Sequence, residues 1–278
     1  MEQRTDVLQR AVEVFARGFC FTRSFTHPYL AERVGKVWVV RDAPRKHGGY
    51  RREEWIAHGV APNKMDQVAR EHTRGRFAMC PVCGVDESDE PLRAGFKSLD
   101  YRLGATEAVM VHELKRIPRF EKPVEVVAVT TTELAERLNK AAKSRQVLPE
   151  HLSKDSPLRQ YVALVADKPV GWVRSIDVGH ATWCSNMYVD PKFRRRGIAR
   201  AMMSTMLRDD RTGGSKLAVL TASHTGAKLY PVGGVQANRY TLVVYTEEEI
   251  ASDVSGSKGQ FANRTQEAQQ WLLHNLRR

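Results

Sequence analysis

No stretch of this 278-residue chain approaches the roughly 18 consecutive apolar residues of a membrane span. The opening MEQRTDVLQRAVEVF has no apolar core and no small-residue cleavage site, so it does not read as a secretory signal. Cysteine is scarce, with four in the whole chain, too few for a disulfide scaffold, and this points to a reducing cytoplasm. There is one C-x-x-C, formed by Cys80 and Cys83 with His72 upstream, and no second pair to complete a structural zinc site. A thioredoxin-like site would place such a pair at a helix N-terminus, whereas here the acidic run Asp86–Glu90 follows. Both cysteines therefore read as structural, and no metal is expected. Acidic residues are also in deficit, 32 Asp+Glu against 44 Lys+Arg, a net charge of +12. Residues 1–120 carry 21 basic against 16 acidic and the remainder 23 against 16, so the excess is spread over both halves. That balance suits phosphate-bearing ligands or acidic partners. Nucleic acid is disfavoured, because no basic strand interleaved with aromatics and no reading motif accompanies the charge.

What is present is the composition of an ordinary globular protein, 42% apolar and 27% charged. LKRIPRFEKP, Leu114 to Pro123, has two prolines and clustered charge between two apolar runs, which suggests a domain boundary. Beyond it, the valine-rich Val124–Val129 reads as a buried strand. Thr130 stands three residues before Glu133, as in a capping box, and Leu134, Leu138, Ala141 and Ala142 supply a helix face. QYVALVAD, VGWVRSIDV and ATWCSNMYVD follow as strands with joins so short that they must be antiparallel. From Gly197 the period changes: Ile198, Met202 and Met206 share one helical face, with Ala199, Met203 and Leu207 beside them. KLAVLTA then reads as a strand, SHTGAKLY as a short helix and VQANRYTLVVY as a last strand. The fold class is a mixed α/β (α+β) sheet with helices laid on it.

The third strand of that meander ends in Asp190-Pro191 and runs through Lys192, Phe193, Arg194, Arg195 and Arg196 to Gly197, where the helix begins. A helix N-terminus exposes unpaired N–H groups at the positive end of its dipole. Glycine lets a ligand approach the backbone, and arginines add charge-assisted bonds to phosphate oxygens. The turn is therefore suited to a pyrophosphate. Arg194-Arg195-Arg196-Gly197-Ile198-Ala199 resembles the (Gln/Arg)-x-x-Gly-x-(Gly/Ala) signature of the GNAT acetyltransferase superfamily, and MYVDPKFR resembles the strand that leads into it. The resemblance covers about Val124 to Tyr245, in the family's order of elements.

The resemblance implies acetyl-CoA as co-substrate. Backbone groups of Met187, Tyr188 and Val189 would pair with the pantetheine arm, and N–H groups from Arg195 to Ala199 would hold the pyrophosphate. Tyr230 aligns with the family's tyrosine that protonates the departing thiolate. Ser223 stands where an asparagine is common, and Gly234-Val235 replaces the usual Gly-Phe pair. The implied function is N-acetyl transfer to a primary amine by direct attack in a ternary complex. The alternative is a non-catalytic acyl-CoA-binding regulatory module. Asp177, His180, Cys184 and Asn186 are the candidates for a general base. The loop Val147–Pro157, on which acceptor recognition would depend, carries no legible chemistry.

The first half repeats part of this pattern. GKVWVVRD reads as a meander strand, PNKMDQVAREH as the helix after it and RFAMCPVCG as the next strand. Gly95-Phe96 matches the family's Gly-Phe pair, with two strand-like runs after it. This resembles a degenerate GNAT-like copy in tandem, with an unrelated α+β domain as the alternative. The expected organisation is 1–118 for that copy, 119–246 for the acetyltransferase domain and 247–278 for an extension. The extension ends in RTQEAQQWLLHNLRR, where Ala268, Trp271, Leu272 and Leu276 share a helical face. That face would dock on the protein or on a second copy in a homodimer; it is short for membrane binding.

Overall fold

The computed structural model describes residues 2–84, 87–121, 123–222 and 236–246, without the side chains of 2–6 and, apart from Val244, of the last stretch. The chain opens with α1 (Glu2–Arg23), β1 (Tyr29–Val34), β2 (Val37–Asp42) and β3 (Glu53–His58). It continues through α2 (Pro62–His72), β4 (Phe77–Gly84), α3 (Glu90–Lys97) and β5 (Tyr101–His112). Then come β6 (Glu125–Ala128), α4 (Thr132–Ala142), β7 (Leu158–Val165), β8 (Lys168–Asp177) and β9 (Ala181–Val189). The last elements are α5 (Ile198–Thr212), β10 (Leu217–Ala222) and β11 (Gln236–Thr246).

Two compact units result. One combines residues 1–29 with 108–238, and the other combines 30–107 with the chain from Arg239. This division differs from the expected boundary at 118. The proline-bearing segment after β5 is no free linker: Leu114 is buried in the core of the first unit, and Ser204 on α5 donates to Pro118 O at 2.6 Å. Proline and clustered charge mark irregular backbone, and irregular backbone can be packed. The proposed extension 247–278 and the short helix of SHTGAKLY lie outside the described residues.

In the first unit, β6 to β9 form the antiparallel meander that the short joins required. β9 crosses through α5 to a parallel β10. α5 buries Ile198, Ala201, Met202, Met206 and Leu207 in one core with Tyr161, Val173 and Cys184. Its capping differs slightly from expectation at α4, where Thr131 rather than Thr130 caps the helix by accepting from Leu134 N, and Ala141 is exposed. Asp210 ties the far end of α5 to the sheet. Its carboxylate, fully buried, accepts from Arg159 (2.8 Å), Ser175 (2.8 Å) and Thr182 (3.2 Å). Burial pushes this carboxyl above its ordinary range, while Arg159 and the two hydroxyls oppose the shift.

Successive strand residues point to opposite faces, so Trp183 turns away from α5 and meets α1, where its ring stacks on Phe15 at 5.3 Å. Gly18 permits this contact, because a Cβ there would overlap Trp183 Cβ and Cγ. In an exposed helix, Gly→Ala gains about 1 kcal/mol; overpacking of this kind costs roughly 1–3 kcal/mol. Gly18→Ala is therefore expected to lower the melting temperature, by calorimetry, whereas Gly75→Ala, which meets nothing within 4 Å, is expected to leave it nearly unchanged. A rise for Gly18→Ala would show that α1 does not rest on Trp183.

The second unit repeats the plan: β2 pairs antiparallel with β3, and β3 crosses through α2 to a parallel β4. Each unit's next strand comes from a distant part of the chain. β10 pairs with the 108–112 segment of β5, Ala218 opposite His112. β4 pairs with β11 from Arg239 onward, Arg239 opposite Gly84. Gly95-Phe96 lies in α3, with Phe96 buried edge-on against Tyr101, and the two strand-like runs expected after it are the single long β5.

Candidate active site

β9 pairs with β8 along its length but with β10 only from Ala181–Leu217 to Trp183–Val219. Beyond that point Cys184–Val189 and Leu220–Ala222 have no pairing with each other. The separation has a local cause. Trp172 opposes Tyr188 while Arg174 opposes Ser185, so Asn186 and Met187 together face Val173 in a β-bulge. Asn186 has φ +57°, the left-handed conformation that asparagine tolerates better than most residues. A bulge bends its strand and increases its twist, which turns the end of β9 from β10 and opens a cleft in the sheet. Ser185, Met187, Tyr188 and Val189 are half-buried along it. The backbone groups on an open strand edge are ready to pair with an extended ligand.

The cleft ends at the basic turn. Asp190 accepts from Lys192 N at 2.9 Å and starts one turn of 3-10 helix, Pro191–Phe193. Arg195 then has φ +66° and Gly197 φ +82°. Alternating left-handed residues aim successive N–H groups inward, as in an anion-binding nest. The first backbone N–H donor of α5 with a described acceptor is that of Ala201, bonded to Gly197 O at 3.0 Å. Among the described residues, the N–H groups from Arg195 to Arg200 have no acceptor. Among the described residues the arginine side chains of this turn have no carboxylate partner either. Arg194 donates to Val189 O at 2.9 Å, and Arg196 and Arg200 lie over Phe193 and Phe120, each at 5.5 Å. A row of free donors in a cationic rim fits a polyanion. A strand-shaped slot leading into that rim fits an extended arm with a phosphate end.

Residues 157–231 match the acetyltransferase (GNAT) domain family. The chain carries a GNAT domain. No curated protein matches it. Among solved structures, a GCN5-related N-acetyltransferase from Kribbella flavida is similar at 14% identity over 85% of this chain and 95% of that one, with a TM-score of 0.60. A second from Sphaerobacter thermophilus is similar at 17% identity over 75% and 76%, with a TM-score of 0.51. At such identities the likeness establishes the fold.

Within the GNAT domain, Met187, Tyr188 and Val189 lie along the open edge of β9, and Arg194, Arg195, Arg196, Gly197, Ile198 and Ala199 form the rim. Tyr230, Ser223 and Gly234-Val235 lie outside the described residues. The candidates for the base disperse. Asp177 and His180 are exposed at the opposite end of β9 from the bulge. His180 is six residues from Asn186, about 20 Å at roughly 3.3 Å per residue, and Asp177, opposite Thr182, stands four residues along the strand from it, about 13 Å. Cys184 is buried on the α5 side, where burial and Asp210 push its thiol well up. Only Asn186 reaches the cleft, and an amide is no base.

The structure adds groups that the sequence did not single out. Gln146 Oε1 accepts from Arg174 Nη2 at 2.6 Å and from Asn186 Nδ2, so the bulge is held by the segment after α4. In the loop read as chemically silent, His151 lies against Phe25 at 4.7 Å and accepts from Leu148 N through Nδ1 at 3.2 Å. Burial, aided by nearby Arg174, lowers its pKa. The one legible signal was the arginine in the middle of VGWVRSIDV, a charge where an apolar strand predicts none.

The equivalent place in the second unit is closed. β3 and β4 stay paired from Glu53–Phe77 to His58–Val82, with no separation. The turn His58-Gly59-Val60-Ala61 has no Lys or Arg, and Pro62 at the helix start removes one of the N–H donors. Cys80 and Cys83 are both buried on β4. Three residues apart on a strand, they point to opposite faces, which rules out a shared metal or a disulfide between them. Burial, with Asp89 and Glu87 adding to it, pushes the Cys83 thiol to about 11. Among the described residues no cluster could hold a metal ion, and no helix is long and apolar enough to cross a membrane.

Proposed function

We propose that this chain is an acetyl-CoA-dependent N-acetyltransferase that passes the acetyl group to a primary amine by direct attack in a ternary complex. The observation that carries this reading is the opening between β9 and β10 running into the unpaired N–H row at Arg195–Arg200. Acetyl-CoA supplies an activated thioester. The edge of β9 from Met187 to Val189 would pair with the pantetheine amides, and the nest from Arg195 to Ala199 would bind the pyrophosphate. Arg194, Arg195 and Arg196 screen its charge. Tyr230 would donate the proton that the departing thiolate needs. Direct attack is favoured over an acyl-enzyme because the one cysteine on β9, Cys184, is sealed under the sheet with its thiol protonated.

Isothermal titration of the full chain with acetyl-CoA is expected to give one site per chain, since of the two parallel pairs described β9–β10 separates and β3–β4 does not. A stoichiometry near two would show that the paired β3–β4 opens to bind. Free-thiol release across a panel of primary amines then tests chemistry. Tight binding without turnover on any amine would replace the enzyme by a regulatory acyl-CoA-binding module.

A further inference from the structure

Tyr161, Val173 and Cys184 face the α5 core, so their strand neighbours Gln160, Arg174 and Ser185 face the other way. The register sets these three side by side: Gln160 opposite Arg174, and Arg174 opposite Ser185. Gln160 and Arg174 are buried, Arg174 only 6% exposed, Ser185 is half-buried, and each has an enclosed polar atom without a partner among the described residues: Gln160 Oε1, Arg174 Nε and Ser185 Oγ. Arg174 uses Nη2 on Gln146, and its guanidinium lies 5.6 Å from the Phe25 ring centroid. No described carboxylate offsets its charge. Burial alone lowers its pKa, to about 10, so it remains a cation at neutral pH.

A buried cation without an anion costs several kcal/mol. Elsewhere in the same unit a buried charge is answered in full, as at Asp210. The exception stands beside the bulge: Ser185 precedes Asn186, on the face of the sheet that carries the stacked pair Trp172–Tyr188 at 4.2 Å. Gln160 Nε2 is spent on the backbone oxygens of Val173 and Tyr161, at 2.8 and 3.2 Å, which leaves its Oε1 as an acceptor for an N–H. The donors left over, a guanidinium edge and a hydroxyl, suit the planar fork of a carboxylate.

We infer that Arg174, with Ser185, is the anion-recognition point for the acyl acceptor, and that the acceptor is an amine bearing a carboxylate, such as an amino acid or the end of a short peptide. This deepens the acetyltransferase reading and rests on it. The carboxylate would bond to Arg174 and Ser185, while the amine of the same molecule reaches the bulge at Asn186 and Met187. The group that satisfies Arg174 would thus be the substrate.

The test compares free amino acids with their carboxamides, and with phosphoethanolamine, in free-thiol release by the full chain. A charge-assisted bond of about 1.5–3 kcal/mol converts to a preference of roughly 10- to 150-fold in kcat/KM for the carboxylate over the carboxamide. Arg174→Lys is expected to reduce that preference and Arg174→Met to erase it, chiefly through KM, with titrated acetyl-CoA affinity retained. Replacing an unpaired buried charge by an apolar side chain is neutral or stabilising, so Arg174→Met should melt no lower than the parent. A fall in melting temperature with the preference intact would make Arg174 a structural residue and overturn the proposal. Equal turnover of acids and amides, or a preference for phosphoethanolamine, would also overturn it. If no amine is acetylated, the same ligands are compared for thermal stabilisation of the CoA-loaded protein. No carboxylate-dependent stabilisation there counts against the proposal, whereas failure to bind acetyl-CoA at all would instead reject the acetyltransferase reading.

Discussion

Gly197→Val is expected to weaken acetyl-CoA binding at least about 100-fold while the protein still folds. Space is not the reason, because a Cβ at this position meets nothing nearer than Pro123 Cγ at 3.9 Å. The reason is the backbone. Gly197 has φ +82°, a conformation that costs an ordinary L-residue about 1–2 kcal/mol and a β-branched one more. The turn would relax to relieve that strain, and the N–H groups that converge only through the left-handed residues 195 and 197 would no longer share a target. Each charge-assisted bond lost is worth about 1.5–3 kcal/mol. Two of them account for the expected loss. Gly197→Asn provides the control, since asparagine tolerates this conformation and should keep most of the affinity. Isothermal titration reads both variants, and circular dichroism reports the fold. Unchanged affinity in Gly197→Val would remove the pyrophosphate from this turn.

Tyr230→Phe should lower kcat by about 100-fold or more and leave acetyl-CoA affinity nearly intact. As thiolate charge develops, a positioned proton donor contributes roughly 10²–10⁴-fold. A phenol acting as that donor would be needed only in the transition state, so its loss would fall on the chemical step rather than on binding. The substitution deletes one hydroxyl and keeps the ring, which separates the chemical role from packing. A true acid would also shape the alkaline limb of the pH–rate profile, and that limb should move in the variant. Turnover at the parent rate would leave protonation of the thiolate to water.

The two most telling local readings, the crossover at Gly197 and the antiparallel meander, were legible because their causes are local. A change of hydrophobic period at Gly197 marks a strand turning into a helix, and joins of a few residues force β7, β8 and β9 to pair in sequence. α2 was legible over its full length, from a Pro at its start to the residue before Thr73. The same signals could not assign distant partners. VQANRYTLVVY reads as a strand whichever edge it joins; that β11 pairs with β4 from Arg239, and that 108–112 takes the place beside β10, is decided by contacts between residues more than a hundred positions apart.

The site divides in the same way. Free N–H groups at a basic, glycine-opened helix start are a property of consecutive residues, so the sequence alone determined the rim from Arg194 to Ala199. Whether the sheet opens beside that rim depends on a bulge at Asn186, on Gln146 bonding to it from another loop, and on which strands cease to pair. Two parallel pairs of similar composition therefore end differently, β9–β10 open and β3–β4 closed. The unanswered charge of Arg174 is likewise a tertiary fact. A sequence shows an arginine in a strand, but its burial, and the absence of a carboxylate partner among the described residues, exist only after Gln160, Ser185, Phe25 and His151 have been brought around it. Local chemistry sets what each segment can offer, and only packing decides which of those offers is left unmet.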